Sequence, residues 1–156
     1  MVARPGAGEA SDPKVYARGL IAELARGEPR YRLIVQGIEG SYIPPPVANA
    51  LSLALGLERA ASGLEPSLAE LSRAFGRAHL EPPVAGNHDA GVTAVVVQHP
   101  EDGVKDGHEV FFQWSEPKTQ LRSFLWTWRA GEPPVRSGPP DGEPRRRSLP
   151  RDPRGR

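Results

Sequence analysis

Residues 109–131 read EVFFQWSEPKTQLRSFLWTWRAG. The chain has three Trp and four Phe, and six of those seven fall between Phe111 and Trp128. The fold turns on the backbone that carries them. Val110, Phe112 and Trp114 alternate with Phe111 and Gln113, and Phe124, Trp126 and Trp128 alternate with Leu125 and Thr127. Period-two alternation marks half-buried strands. Strands are therefore predicted at Glu109 to Ser115 and Arg122 to Arg129, paired as an antiparallel hairpin. With Trp114 opposite Arg122, Phe112 meets Phe124, Val110 meets Trp126, and Trp128 joins the same side. With Trp114 opposite Leu121, the rings split between two faces. Cross-strand aromatic pairs stabilise sheets, which favours the first register. Each ring buries about 150–250 Å². An open face of five rings exceeds the few hundred Å² of apolar patch usual on a monomer. The aromatic face is therefore expected as core beneath helices, with a protein interface or a base-stacking platform as alternatives.

Upstream, Thr93 to Val97 are apolar on both faces, as an interior strand requires, and Val92 to His99 is predicted as that strand. Tyr31 to Gln36 reads as another. Three helices are predicted. The first begins at Asp12, a good N-cap followed by Pro13, stops at Gly27, and turns a stripe of Tyr16, Leu20 and Leu24 inward. The second, VANALSLALGLERAA, starts at Val47. The chain carries no charge from Ser41 to Leu57, and the leucines of this helix surround it on most sides. Such a helix is buried centrally or meets a partner, so Leu51 and Leu55 are partner-binding candidates together with Trp114, Trp126 and Trp128. The third, PSLAELSRAFGRAHL, starts at Pro66 with a stripe of Leu68, Leu71 and Phe75. No internal repeat is read. The order α-β-α-α-β-β-β gives an α+β fold: three helices on a small, mainly antiparallel sheet, formed by residues 12–130. Residues 1–11 and the Pro- and Arg-rich residues 131–156 are expected to be disordered.

Charge narrows the function classes. The tail from Gly131 holds seven Arg and four acids, a net +3, which leaves −2 for the rest of a chain whose total is +1. A dedicated nucleic-acid binder would show a basic folded face instead. The absence of Cys excludes disulfides, thiolate catalysis and Cys-based zinc sites. The chain does not begin with a signal-peptide pattern, and no apolar run approaches the ~20 residues of a membrane span. A cytoplasmic protein without membrane contact is expected.

Catalytic signatures are missing. His99 and His108 flank PEDGVKDG and are weak metal candidates, but the loop has ordinary solvated acids and no metal is expected. In NHDAG, His88 and Asp89 are sequence neighbours whose side chains diverge. GIEGSYIPPP has glycines, yet its prolines remove the donors a phosphate loop needs. No cofactor or catalytic residue is predicted. The expected function is a small non-enzymatic accessory or regulatory protein acting through a protein partner or self-association. The alternative is a winged-helix-like DNA-binding regulator, with Arg73 and Arg77 on the recognition helix and Arg145, Arg146 and Arg147 on phosphates.

Overall fold

The run TAVVV at residues 93–97 is the centre of the molecule. The structure, a computed structural model, describes residues 16–17, 30–61, 65–88, 91–131 and 133–136. β1 spans Arg32–Gly37, followed by α1 (Pro45–Ala54), β2 (Glu58–Ala60), α2 (Pro66–Ala74), β3 (His79–Leu80) and β4 (Ala94–His99). A 3₁₀ turn at Gly107–Glu109 leads into α3 (Val110–Gln113) and α4 (Ser115–Trp128). The strands form one sheet in the order β1-β4-β2-β3, and every pair is parallel. The expected antiparallel sheet is therefore wrong, and so is the count of three helices. Of the predicted first helix only Tyr16 and Ala17 are described; both are helical, but Ala17 is buried and Tyr16 is exposed.

All six residues of β4 are buried, because the strand is covered on both faces. Ile34, Ala94 and Val96 face one layer, where they meet Leu51, Leu53, Leu55 and Leu57 from α1 and its exit, Leu68 of α2, and Ala17. Leu33, Val35, Val95 and Val97 face the other, with Ala60, Val84, Phe124 of α4, and Val135. α1 and α2 carry the chain forward across the sheet on the first face. The return from β3 to β4 passes through Val84 on the second. Opposite directions on opposite faces give the crossovers one hand, as right-handed connections require. Val84 and Val135 exchange both backbone hydrogen bonds, 2.9 and 2.8 Å. Pro133 and Val135 are both buried, Val135 within the second layer.

β2 and β3 are strands where the sequence was read as helix ends. Gly56 and Gly76 cause this, with φ of 73° and 64°. Glycine takes that conformation without steric cost, and it ends a helix. After α1, Gly56 N–H donates to Leu53 O and Leu57 N–H to Ser52 O; after α2, Gly76 N–H donates to Arg73 O and Arg77 N–H to Ser72 O. These are the same two bonds of a Schellman cap. The underlying segments share P-x₄-L-S-x-A-x-G, from Pro46 to Gly56 and from Pro66 to Gly76. This repeat, overlooked in the sequence, twice makes a helix that stops and releases a short parallel strand.

The aromatic stretch is helical. Pro117 sits in the first turn of α4, where its missing N–H costs no helical bond. Pro117, Gln120 and Phe124 are the buried residues, a spacing of three and four. Between Ser115 and Arg122 there is no Gly or Asn to turn a hairpin. The period-two alternation of Phe124, Trp126 and Trp128 is thus overridden by the 3.6-residue period of the positions that reach the core. Of the six rings only Phe124 is buried, and Trp126 is 82% exposed. The expected aromatic core is replaced by valines. The hairpin required for a winged helix is absent with it.

Candidate functional site

In a parallel sheet, ligands meet the protein beyond the carboxyl ends of the strands, where neighbouring strands send the chain to opposite faces. β1 and β4 are such a pair, since β1 leads to α1 and β4 to α3 and α4 on the other side. Two devices fill this crevice. One is a buried polar chain. Gln98 Nε2 donates to Gln36 Oε1 (3.4 Å), Gln36 Nε2 to Asn49 Oδ1 (2.9 Å), and Asn49 Nδ2 to Glu65 Oε2 (2.8 Å) and Ser67 Oγ (3.1 Å). The other is a backbone contact between the end of β1 and the 3₁₀ turn. A Cβ added to Gly107 would overlap the Ile38 carbonyl oxygen, and one added to Gly37 would overlap the Gly107 oxygen. Both positions are glycine for lack of space.

The starts of α1 and α2 are also closed. α1 begins with Pro45 and Pro46, which have no N–H to offer an anion. α2 is capped by its own Glu65, which accepts from Leu68 N–H. Burial pushes the Glu65 carboxyl up, but hydrogen bonds from Ser67, Leu68 N–H and Asn49 outweigh it and hold the group below its ordinary value. Neither helix start provides a phosphate cradle.

The open space lies beside β1 instead. β1 is an edge strand. Arg32 N–H donates to Thr93 O and Ile38 N–H to His99 O, so the even-numbered backbone groups point at β4. Those of Leu33 and Val35 point outward, and no described residue bonds to them. This edge is the floor of a groove of about 210 Å³. Ile43, Ala48 and Leu51 wall it on the α1 side; His108, Val110 and Phe111 wall it on the α3 side. An engineered cavity of ~150 Å³ takes up benzene, so this one has room for a large side chain.

Four carboxylates, none of them lining the groove, neighbour one another just past the end of β1 and before Gly107. Glu101 is pushed above its ordinary value by desolvation, by a hydrogen bond with Glu39, and by the charges of Glu39, Asp106 and Asp102. Asp102 is held low by the Lys105 and Val104 N–H groups, and Asp106 by Ser41 and the His108 N–H. Lys105 pairs with Glu109 at 3.4 Å.

The residues singled out from sequence are scattered. Leu55 is buried in the core and presents nothing to a partner, while half-buried Leu51 lines the groove. Trp114, Trp126 and Trp128 are exposed with Phe112 and Leu125, although Trp114 Nε1 donates to Pro100 O at 2.8 Å. Arg73 is exposed in the last turn of α2. Arg77 is half-buried and folds against the Gly56 turn. Arg145 to Arg147 lie outside the described residues, as does Asp89 of NHDAG. His99 and His108 do not converge. Buried His99 donates from Nε2 to Gln120 Oε1 (2.8 Å), and exposed His108 packs its ring on Tyr42 (5.2 Å between centroids). Among the described residues no group of three His, Asp or Glu is placed to hold a metal. Asn87 clamps the start of β4, accepting from Ala94 N–H (2.9 Å) and donating to Ala94 O (3.1 Å).

Sequence reasoning missed Gln36, Asn49, Gly37 and Gly107. Gly37 belongs to GIEG, read only as a stiff connection. Asn49 was hidden among leucines, although a lone amide in an uncharged helix is the kind of polar group that must find buried partners. No family model, curated protein or solved structure matches the chain. No helix among the described residues is long and apolar enough to cross a membrane.

Proposed function

We propose that the protein is a non-enzymatic accessory or regulatory module that works by binding another protein. The observation that carries this reading is the exposure of several large apolar side chains along α3 and α4. Phe112, Trp114, Leu125, Trp126 and Trp128 stand exposed in a chain whose large rings are few. Scattered apolar residues on a surface need no explanation, but a concentration of Trp does. Aromatic rings with a polar atom are the side chains that protein interfaces favour at their cores. The starts of α1 and α2, closed by prolines and by Glu65, offer no phosphate cradle.

The test is a photo-crosslinking side chain placed at Trp126 and, as a control, at exposed Glu70 of α2, in the intact protein inside cells. The proposal expects a discrete adduct from position 126 that position 70 does not give. An adduct of twice the chain mass identifies the partner as a second copy. No adduct from position 126, or the same adducts from both positions, overturns the proposal.

A further inference from the structure

The groove beside β1 and the direction of its backbone groups specify a ligand more closely than its volume does. Leu33 and Val35 turn their N–H and C=O outward, two residues apart along an edge that no described residue pairs. An edge strand left in this state is a template for another strand. Most proteins blunt such edges with charges or prolines; here the outward positions are Leu33, Val35 and Gly37. Apolar walls stand on both sides, Ile43, Ala48 and Leu51 on one and Val110 and Phe111 on the other. A strand laid on this edge would send alternate side chains toward the two walls. Past the end of β1, Glu101 neighbours Glu39, Asp102 and Asp106, the last next in sequence to Gly107 of the groove, and the nearby Lys105 already pairs with Glu109.

We propose that this groove binds an extended segment of a partner protein by strand addition, a segment with alternating apolar side chains flanked by Arg or Lys. The backbone of the segment bonds to Leu33 and Val35, an apolar side chain fills the space between Leu51 and Phe111, and the flanking cation meets the carboxylates. Affinity comes from the main chain and selectivity from the alternate pockets, as in other strand-addition complexes. The site uses different residues from the Trp surface, so either can fail while the other stands.

The test is a titration of the ¹⁵N-labelled full chain with two blocked peptides, RVTVTVR and EVTVTVE, followed by amide shifts and hydrogen exchange. The Leu33 and Val35 amides should exchange fast in the free protein, then shift and become protected with RVTVTVR. The Ile34 and Gln36 amides, already bonded to β4, should be protected throughout. EVTVTVE should bind about tenfold more weakly at low salt, with the difference shrinking at ~1 M salt. Val35→Pro removes an outward N–H from an edge position that tolerates proline, with some loss of packing on the second layer, and it should abolish binding. Ala48→Trp fills the groove from α1 and leaves the residues of the strand unchanged, and it should do the same if Val35→Pro does not fold. Equal affinity for the two peptides overturns the proposal. So does binding that Ala48→Trp leaves intact, or protection of Leu33 and Val35 before any peptide is added.

Discussion

Replacing Asn49 by leucine should destabilise the protein, although it puts one more leucine into a helix already rich in them. Asn49 is fully buried. Its amide accepts from Gln36 Nε2 at 2.9 Å and donates to Glu65 Oε2 and Ser67 Oγ. Leucine of similar size removes all three bonds. The Gln36 amide loses its acceptor in a buried position, a cost of about 1–3 kcal/mol, and a hydrogen bond to a charged group is worth about 1.5–3 kcal/mol. Burial of the new apolar side chain offsets up to about 2 kcal/mol. With that full offset the net loss is about 0.5–4 kcal/mol. In urea, with a slope of about 2 kcal/mol per molar, the unfolding midpoint should fall by about 0.3–2 M. Gln36→Leu removes the orphaned donor, so the double variant should lose less than the sum of the two. An unchanged or raised midpoint for Asn49→Leu would refute the reasoning, because α1 would then be turning its leucines rather than its amide inward.

Three further outcomes are expected. Gly107→Ala drives a Cβ into the backbone of Ile38 and to within 3.0 Å of Gly40 N; thermal unfolding should show a loss of about 1–3 kcal/mol or no folded protein. Trp126→Ser and Trp128→Ser should each leave urea stability within about 0.5 kcal/mol of the parent, whereas Val97→Ala, in the fully buried strand, should cost about 2–3 kcal/mol. The Glu65 carboxyl is held below its ordinary value of about 4.3, so its contribution is present above that pH and is lost as pH falls through the lower folded value. The stability gap between the parent and Glu65→Gln, measured by urea unfolding, should therefore be full at pH 6 and narrow below about pH 4.

Some of this fold could be read from the chain and some could not, for physical reasons. Thr93 to Val97 marked an interior strand because only a strand covered on both faces is apolar on both. Arg32 to Gly37 was visible through its branched residues and its glycine boundary. The parallel pairing was not, since no local pattern distinguishes parallel from antiparallel partners; only the connections do, and two of those hinged on Gly56 and Gly76 as helix stops. The stretch from Phe111 to Trp128 misled because large rings at alternate positions suit a strand, while its helix buries Pro117, Gln120 and Phe124, two of which carry no apolar signal a pattern search rewards. α1 misled in the same way. Its buried residues are Asn49 and Ser52, and Val47 stands in solvent. The polar chain through Gln36 and Asn49 depends on partners far apart in sequence. The groove arises only when β1 is left at the sheet edge.

The fold and the proposed function both require the three tryptophans to lie on the surface, Trp126 and Trp128 on α4 and Trp114 just before it. Because these are the only Trp in the chain, intrinsic fluorescence with acrylamide quenching reads them alone. The account predicts a red-shifted emission in the folded protein, with all three rings accessible to acrylamide and little further shift on unfolding in urea. A blue-shifted, quencher-resistant emission that moves red only on unfolding would place the rings in the core and contradict the account.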